Sequence, residues 1–220
     1  MKLYIRILAF IVILLLLWWL YNYLNKQNYI NLSPIDRCSL RYDRERVYEF
    51  DDLLTKDECD MIIQMARPKV TKSAVLSKEK YHPGRTSSHV FLSSNHPVIQ
   101  KIDNIVYSYL EIPIENYENL QVVNYKSSEK YDAHYDACDP KEEICQNDIN
   151  TRGGLRYATF IFYLNDNFTG GETDFPQRGV SVSPKAGRLL MFPPMWTHLH
   201  AGRKVTGDTS KYIVGSYLHY

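Results

Sequence analysis

The chain is 220 residues long, 45% hydrophobic and 13% aromatic, and its 26 basic and 25 acidic side chains leave a formal charge of +1. Near-neutrality excludes nucleic-acid binding through bulk positive charge, and the aromatic content excludes a disordered chain. The apolar residues are unevenly spread: residues 1–24 hold 21 of them and only two charges, Lys2 and Arg6, which leaves 24 basic and 25 acidic groups on the other 196 residues.

That N-terminal stretch is the first predicted element. Fourteen apolar residues run without interruption from Ile7 to Leu20, and no charge follows until Lys26. About twenty residues span a bilayer, and with Arg6 snorkelling a helix from Leu3 to Leu24 is long enough. Trp18, Trp19, Tyr21 and Tyr23 would form its interfacial belt. No small-residue cleavage pattern follows, so residues 1–24 read as an uncleaved signal-anchor transmembrane helix. Lys2, Arg6 and the terminal amine place the N-terminus in the cytoplasm, giving a single-pass type II membrane protein with its globule in the endoplasmic reticulum lumen or outside the cell. The cysteines agree with that side: Cys38, Cys59, Cys138 and Cys145 are an even set with no CxxC, and Cys138 could close a small loop with Cys145.

Residues 25–46 read as a polar linker, and residues 47–220 as one domain. Thr55-Lys56-Asp57-Glu58 is a capping box, and Cys59, Ile62, Ile63 and Ala66 line one helical face up to Arg67, where Pro68 stops the helix. Residues 69–95 read as loop. Pro97 opens a second helix with Val98, Ile102, Ile105, Val106 and Tyr109 on one stripe, ended before Pro113. Beyond Asn116 the period changes to that of short strands: Leu120–Tyr125, Arg156–Leu164, Glu172–Phe175, Val180–Ser183, Arg188–Phe192 and Lys211–Leu218, punctuated by Gly, Pro, Asn and Asp. Helical support over 52–113 followed by an all-β half over 117–220 predicts an α+β fold closing as a sandwich or barrel.

The chemistry-bearing segment is Tyr131-Asp132-Ala133-His134-Tyr135-Asp136. In a strand, His134 and Asp136 project to the same face. Alone, such a pair is weak evidence and fits a solvated surface strand better. The distal segment Phe192–Gly202 adds His198 and His200, and Lys211 follows eleven residues after His200. Two imidazoles and one carboxylate make the facial triad that holds Fe(II). A lysine inside the run Lys211-Tyr212-Ile213-Val214 needs an anionic partner if it points inward.

With these motifs in order, the chain resembles the Fe(II)- and 2-oxoglutarate-dependent dioxygenases of the prolyl 4-hydroxylase family over about residues 48–220. The resemblance rests on Arg85-Thr86-Ser87, Gln121–Tyr125, His134-Tyr135-Asp136, Arg156 to Asn165, Gly170–Pro176, Pro184–Arg188, His200-Ala201-Gly202 and Lys211-Tyr212. It implies a double-stranded β-helix, or jelly roll, with helices packed on one side. It assigns iron to His134, Asp136 and His200. It gives the distal carboxylate of 2-oxoglutarate to Lys211, with Tyr125 and Thr173 hydrogen-bonding the same cosubstrate, and it places Arg156 and Arg85 near the substrate groove. The implied reaction is 4-hydroxylation of a peptidyl proline that consumes O2 and 2-oxoglutarate and releases succinate and CO2, with Fe(II) as the cofactor and ascorbate alongside. The partners are then a Pro-rich peptide or protein substrate and the membrane, with no nucleic acid. Hydroxylation of another peptidyl residue such as lysine, or a non-catalytic membrane-tethered binding module, are the competing functions. The interval from distal histidine to lysine is eleven where the family usually has ten, and His198, at thirteen, is a poorer ligand than His200. Ala137–Gly154 reads as a lid or a plain surface insertion. His82, His89, His96 and His219 read as solvated, and Trp196 as a core or strand-edge anchor.

Overall fold

A computed structural model describes residues 6, 10–20, 29–32, 46–73, 84–93, 95–137 and 139–219. Residues 10–20 are helical, with their apolar side chains from Phe10 to Leu20 exposed. Among the described residues no helix is long and apolar enough to cross a membrane, and residues 1–5, 7–9 and 21–24 of the expected anchor lie outside them.

The globule carries fourteen strands among the described residues. Eight of them, β1 (Tyr29–Leu32), β2 (Val47–Phe50), β3 (Thr71–Lys72), β4 (Ser88–Phe91), β5 (Gln121–Tyr125), β7 (Arg156–Tyr163), β11 (Leu189–Phe192) and β14 (Lys211–His219), form one sheet in the order β1-β2-β11-β7-β14-β5-β4-β3. Four more, β6 (Tyr131–His134), β9 (Thr173–Phe175), β10 (Val180–Val182) and β12 (His200–Gly202), form the facing sheet in the order β10-β9-β12-β6. The short strands β8 (Thr169–Gly170) and β13 (Val205–Thr206) pair with each other. Two sheets with helices on one outer face make the expected jelly roll. The large sheet also recruits strands from before residue 117, so residues 69–95 are not all loop and the linker holds β1.

Strand alternation sorts the side chains. In β7, Ala158, Phe160 and Phe162 face one core, with Leu189 and Met191 of β11 and Tyr212, Val214 and Leu218 of β14. That face is covered by α1 (Lys56–Ala66), through Cys59, Ile62, Ile63 and Ala66, and by α2 (Pro97–Leu110), through Val98, Ile99, Ile102 and Val106. The opposite face, with Val123, Tyr125, Tyr163, Leu190, Phe192 and Ile213, packs on Phe175, Val180 and Val182 of the small sheet. Each fully buried Phe or Leu is worth roughly 1.5–3 kcal/mol of burial, so the two cores dominate the fold.

The helices begin where the sequence says they should. Thr55 Oγ1 accepts the Glu58 N–H at 3.3 Å and Glu58 accepts the Thr55 N–H at 2.8 Å, the full capping box. Lys101 of α2 donates to both Glu58 carboxylate oxygens at 2.7 Å, tying the two helices together. A third helix, α3 (Glu143–Arg152), occupies the 137–154 segment. Within it Cys145 is disulfide-bonded. Its partner lies outside the described residues, as does Cys138, while Cys59 is free and buried.

Three expected surface positions are corrected. His219 is buried, held by Gly154 O and Glu118. His89 is half-buried edge-on to Phe91, and His96 caps α2 by accepting the Val98 N–H at 3.3 Å. Trp196, expected to anchor a core or strand edge, is exposed. His82 lies outside the described residues.

Gly187 joins β2's exit to β11. Its carbonyl accepts the Leu53 and Leu54 N–H groups, its φ is +80°, and an added Cβ would sit 2.1 Å from Leu54 O. Both conformation and space therefore demand glycine. Gly187→Ala is expected to lower stability by about 3 kcal/mol. Chemical denaturation followed by circular dichroism tests this, and an unchanged midpoint would refute it.

Candidate active site

β6 and β12 are antiparallel neighbours with His200 opposite His134. Asp136 lies two residues past the end of β6. The ligand atoms of His134, Asp136 and His200 all fall within 4.8 Å of one another, the one such cluster among the described residues. His134 Nε2 is 3.5 Å from Asp136 Oδ1, and His200 Nε2 is 3.5 Å from Asp136 Oδ2. Each imidazole is oriented by its other nitrogen, because His134 Nδ1 meets Asp132 O at 2.8 Å and His200 Nδ1 meets His198 O at 3.0 Å. A carbonyl accepts only, so Nδ1 carries the proton and Nε2 offers its lone pair to a metal. Burial lowers the pKa of His200 and keeps it neutral, as a ligand must be. For Asp136 burial pushes the other way, but the charge that His200 or His134 carries whenever it is protonated, together with Arg156, holds the carboxyl well below its usual range. His198 is buried and outside the cluster; it contributes its carbonyl to His200 rather than its ring to a metal.

Behind the triad, residues that sequence reasoning passed over hold Asp136. Thr159 donates to Oδ2 at 2.9 Å and Tyr217 to Oδ1 at 3.3 Å. Arg156, expected near the substrate groove, is buried: it donates to Asp136 O at 2.9 Å and to both Glu118 oxygens at 2.6 and 3.0 Å, with its guanidinium 3.7 Å from the Tyr217 ring centroid. His219 adds a contact to Glu118 at 3.0 Å. Tyr131 stacks on His134 at 3.6 Å, and Arg85 lies 5.0 Å over the other ring of that pair, that of Tyr131. Arg85 also donates to Gln121 at 3.2 Å.

Lys211 opens β14 opposite Tyr125 of β5. It is 2% exposed, and its Nζ donates to Gly171 O at 2.5 Å and lies 5.3 and 5.4 Å from the Tyr125 and Tyr163 rings. Gly171 has φ +72°, and a Cβ there would press on the Lys211 stem at 3.1 Å, which is why the Gly-Gly turn stands beside this lysine. Among the described residues no carboxylate forms an ion pair with Lys211. Tyr163, another residue the sequence reading missed, donates to Thr173 Oγ1 at 2.7 Å and leaves the Thr173 proton free to turn elsewhere. Tyr125 is buried beside Ser87.

The donor set fits the groups it would hold. Two neutral imidazoles and an ionised carboxylate, each braced by an outer hydrogen bond, are the non-haem Fe(II) facial triad. A buried ammonium with hydroxyls nearby fits the far carboxylate of a dicarboxylic acid. The fold and site thus define a mononuclear iron oxygenase that uses a keto-acid cosubstrate.

Comparison with known proteins narrows the class. The profile of the 2OG-Fe(II) oxygenase superfamily matches residues 120–219. A protein of Acanthamoeba polyphaga mimivirus assigned as a prolyl 4-hydroxylase is 33% identical over 167 residues, covering 72% of this chain and 68% of that protein. Prolyl 4-hydroxylase 2 of Arabidopsis thaliana is 32% identical over 189 residues, covering 74% of this chain but 60% of the plant protein. A viral collagen prolyl hydroxylase from Paramecium bursaria Chlorella virus-1, solved in complex with 2OG, superimposes with a TM-score of 0.61 at 28% identity, over 79% of this chain and 94% of that one. The chain belongs to the 2-oxoglutarate- and Fe(II)-dependent dioxygenases, in the prolyl 4-hydroxylase family.

Burial pushes the Lys211 ammonium down to about 7, against a weaker upward pull from Glu172. Only the protonated lysine complements a carboxylate, and a bound dicarboxylate would raise the pKa again. Affinity for 2-oxoglutarate is therefore expected to be full below pH 7 and to fall about tenfold per pH unit above it. Anaerobic titration of the Fe(II) protein with 2-oxoglutarate across this range tests the claim. Lys211→Met should lose both the affinity and the pH dependence; a flat wild-type profile would refute the assignment.

Proposed function

We propose that the chain is a peptidyl-proline 4-hydroxylase. The observation that carries this reading is the His134, Asp136 and His200 cluster together with the buried ammonium of Lys211, which meets a carbonyl but no carboxylate among the described residues. The relatives' names supply the proline. Bound there, Fe(II), 2-oxoglutarate and O2 supply the oxidation of an unactivated C–H bond, with succinate and CO2 released.

The protein's part is to bind, orient and exclude water. His134 and His200 present neutral Nε2 lone pairs, and Asp136 provides the anionic ligand. Lys211 fixes the far carboxylate of the cosubstrate, with Thr173 and Tyr125 in place to hydrogen-bond it. The buried rings of Tyr125 and Tyr163 flank Lys211 Nζ and would limit water around a carboxylate held there, where the contact is strongest. Ascorbate is the reductant that would accompany this cofactor set.

The full chain with Fe(II), ascorbate, 2-oxoglutarate and Pro-rich peptides should form succinate and add one oxygen to a peptide proline, read by mass spectrometry. His134→Ala should lower both by more than about 100-fold and reduce bound iron. Oxygen added only to lysine or another residue would replace the proline reading. Wild-type turnover no higher than that of His134→Ala would leave a binding module instead.

The same proposal includes a tether. The apolar run of residues 7–20 with Lys2 and Arg6 before it supports a type II anchor, with the globule in the endoplasmic reticulum lumen or outside the cell. The disulfide at Cys145 supports an oxidising compartment. In cells, the chain should stay in the membrane pellet after alkaline carbonate and be protease-protected in sealed microsomes. Release into the supernatant would remove the tether, and digestion in sealed microsomes would reverse its orientation.

A further inference from the structure

Tyr135 stands between the ligands His134 and Asp136 in the chain. Gln177 donates to its hydroxyl at 3.2 Å, which fixes the ring. Against it, edge to face with centroids 5.2 Å apart, lies the indole of Trp196. Trp196 sits on the turn closed by the His198 N–H to Met195 O bond at 2.9 Å, the turn that delivers the His198 carbonyl to His200. The aromatic pair thus bridges the two chain segments that carry the histidine ligands. A tryptophan normally buries most of its surface, yet this one is 59% exposed. The ring is held in place at one edge and open on the rest.

We propose that Trp196 and Tyr135 are a substrate-docking platform for a proline flanking the one that is hydroxylated. This rests on the peptidyl-proline reading above and adds a specificity determinant to it. An aromatic face receives the pyrrolidine ring of an extended, polyproline-type peptide without hydrogen bonds, and such a peptide arrives with little conformational entropy left to lose. Tyr135 is the chain neighbour of both His134 and Asp136, and Trp196 lies four residues before His200, so a peptide resting on the pair lies beside the segments that carry the metal ligands. Tyr135 cannot be removed without disturbing its ligand neighbours; Trp196 can.

Trp196→Ala should raise the KM for a Pro-rich peptide by about three- to tenfold, the range of one aromatic contact. Its kcat, its KM for 2-oxoglutarate and its iron content should stay within about twofold, and Trp196→Phe should restore most of the peptide KM. A second readout needs no turnover. The chain has three tryptophans, Trp18, Trp19 and Trp196. With Trp18 and Trp19 replaced by Phe in the full chain, the peptide should quench or blue-shift the remaining emission, and a proline-free peptide of the same length should not. An unmoved peptide KM with silent fluorescence, while the wild type still hydroxylates proline, overturns the platform alone. A wild type that hydroxylates no proline overturns the functional reading and the platform with it. If Trp196→Ala instead turns a dimer into a monomer with peptide KM unchanged, the ring belongs to a self-interface and the inference falls.

Discussion

The structure depends on keeping one carboxylate ionised in the interior. Asp136 is buried, and an isolated carboxylate there would be expelled or protonated. Thr159 and Tyr217 each give its oxygens a hydrogen bond, Arg156 fixes its carbonyl, and Glu118 with His219 fixes Arg156. None of these donors neutralises Asp136 as a direct ion pair. The charge is stabilised while its two oxygens remain turned toward His134 and His200. That is the preparation a cation site needs, since a carboxylate already closed by arginine would have no lone pairs to spare.

Strand periodicity then brings the rest of the pocket to the same side. Lys211, Ile213 and Tyr217 alternate along β14 with Tyr212, Val214 and Leu218, which face the helices. Thr159 and Tyr163 of β7 and Val123 and Tyr125 of β5 obey the same rule. A slip of one residue in β14 would exchange Lys211 for Tyr212 and bury an ammonium among α1 and α2. The apolar packing that stabilises the sheet therefore also sets the register of the cosubstrate pocket, and the two cannot be altered separately.

What could be read from the sequence follows from the range of the interaction involved. The capping box, the apolar stripes of α1 and α2 and the alternating runs of β5, β7, β11 and β14 are local patterns, and the strands lie within a residue or two of where the patterns put them. β4 was hidden because Ser88-His89-Val90-Phe91 is only half-buried and shows no clean alternation. α3 was hidden because its polar residues make no apolar stripe. At the site, the His-x-Asp pair and the distal His were visible as ligand types. Glu118 and His219 were not, since their meaning arises only across a fold that brings residues 118, 156 and 219 together. Arg156 stood out as a motif residue, but its partners, and hence its buried orientation, had no local sign.

A comparison of two charged clusters in the same molecule shows why one is structural and the other functional. Where β2 meets the start of β11, Arg188 reaches Glu49 and Asp51 at 2.6 Å each, and Lys185 reaches Asp51 and Asp52 at 3.1 Å. Each of the three acids there contacts one of the two bases, so the cluster is paired internally. In the pocket, the Asp136 carboxylate faces two imidazoles and the Lys211 ammonium faces a carbonyl, so among the described residues neither meets a permanently charged partner. A divalent cation at the one and a dicarboxylate at the other add no net charge, and they leave the interior neutral. The near-zero charge of the whole chain hides this arrangement, because the two groups that matter cancel in the sum and differ only in where the fold puts them.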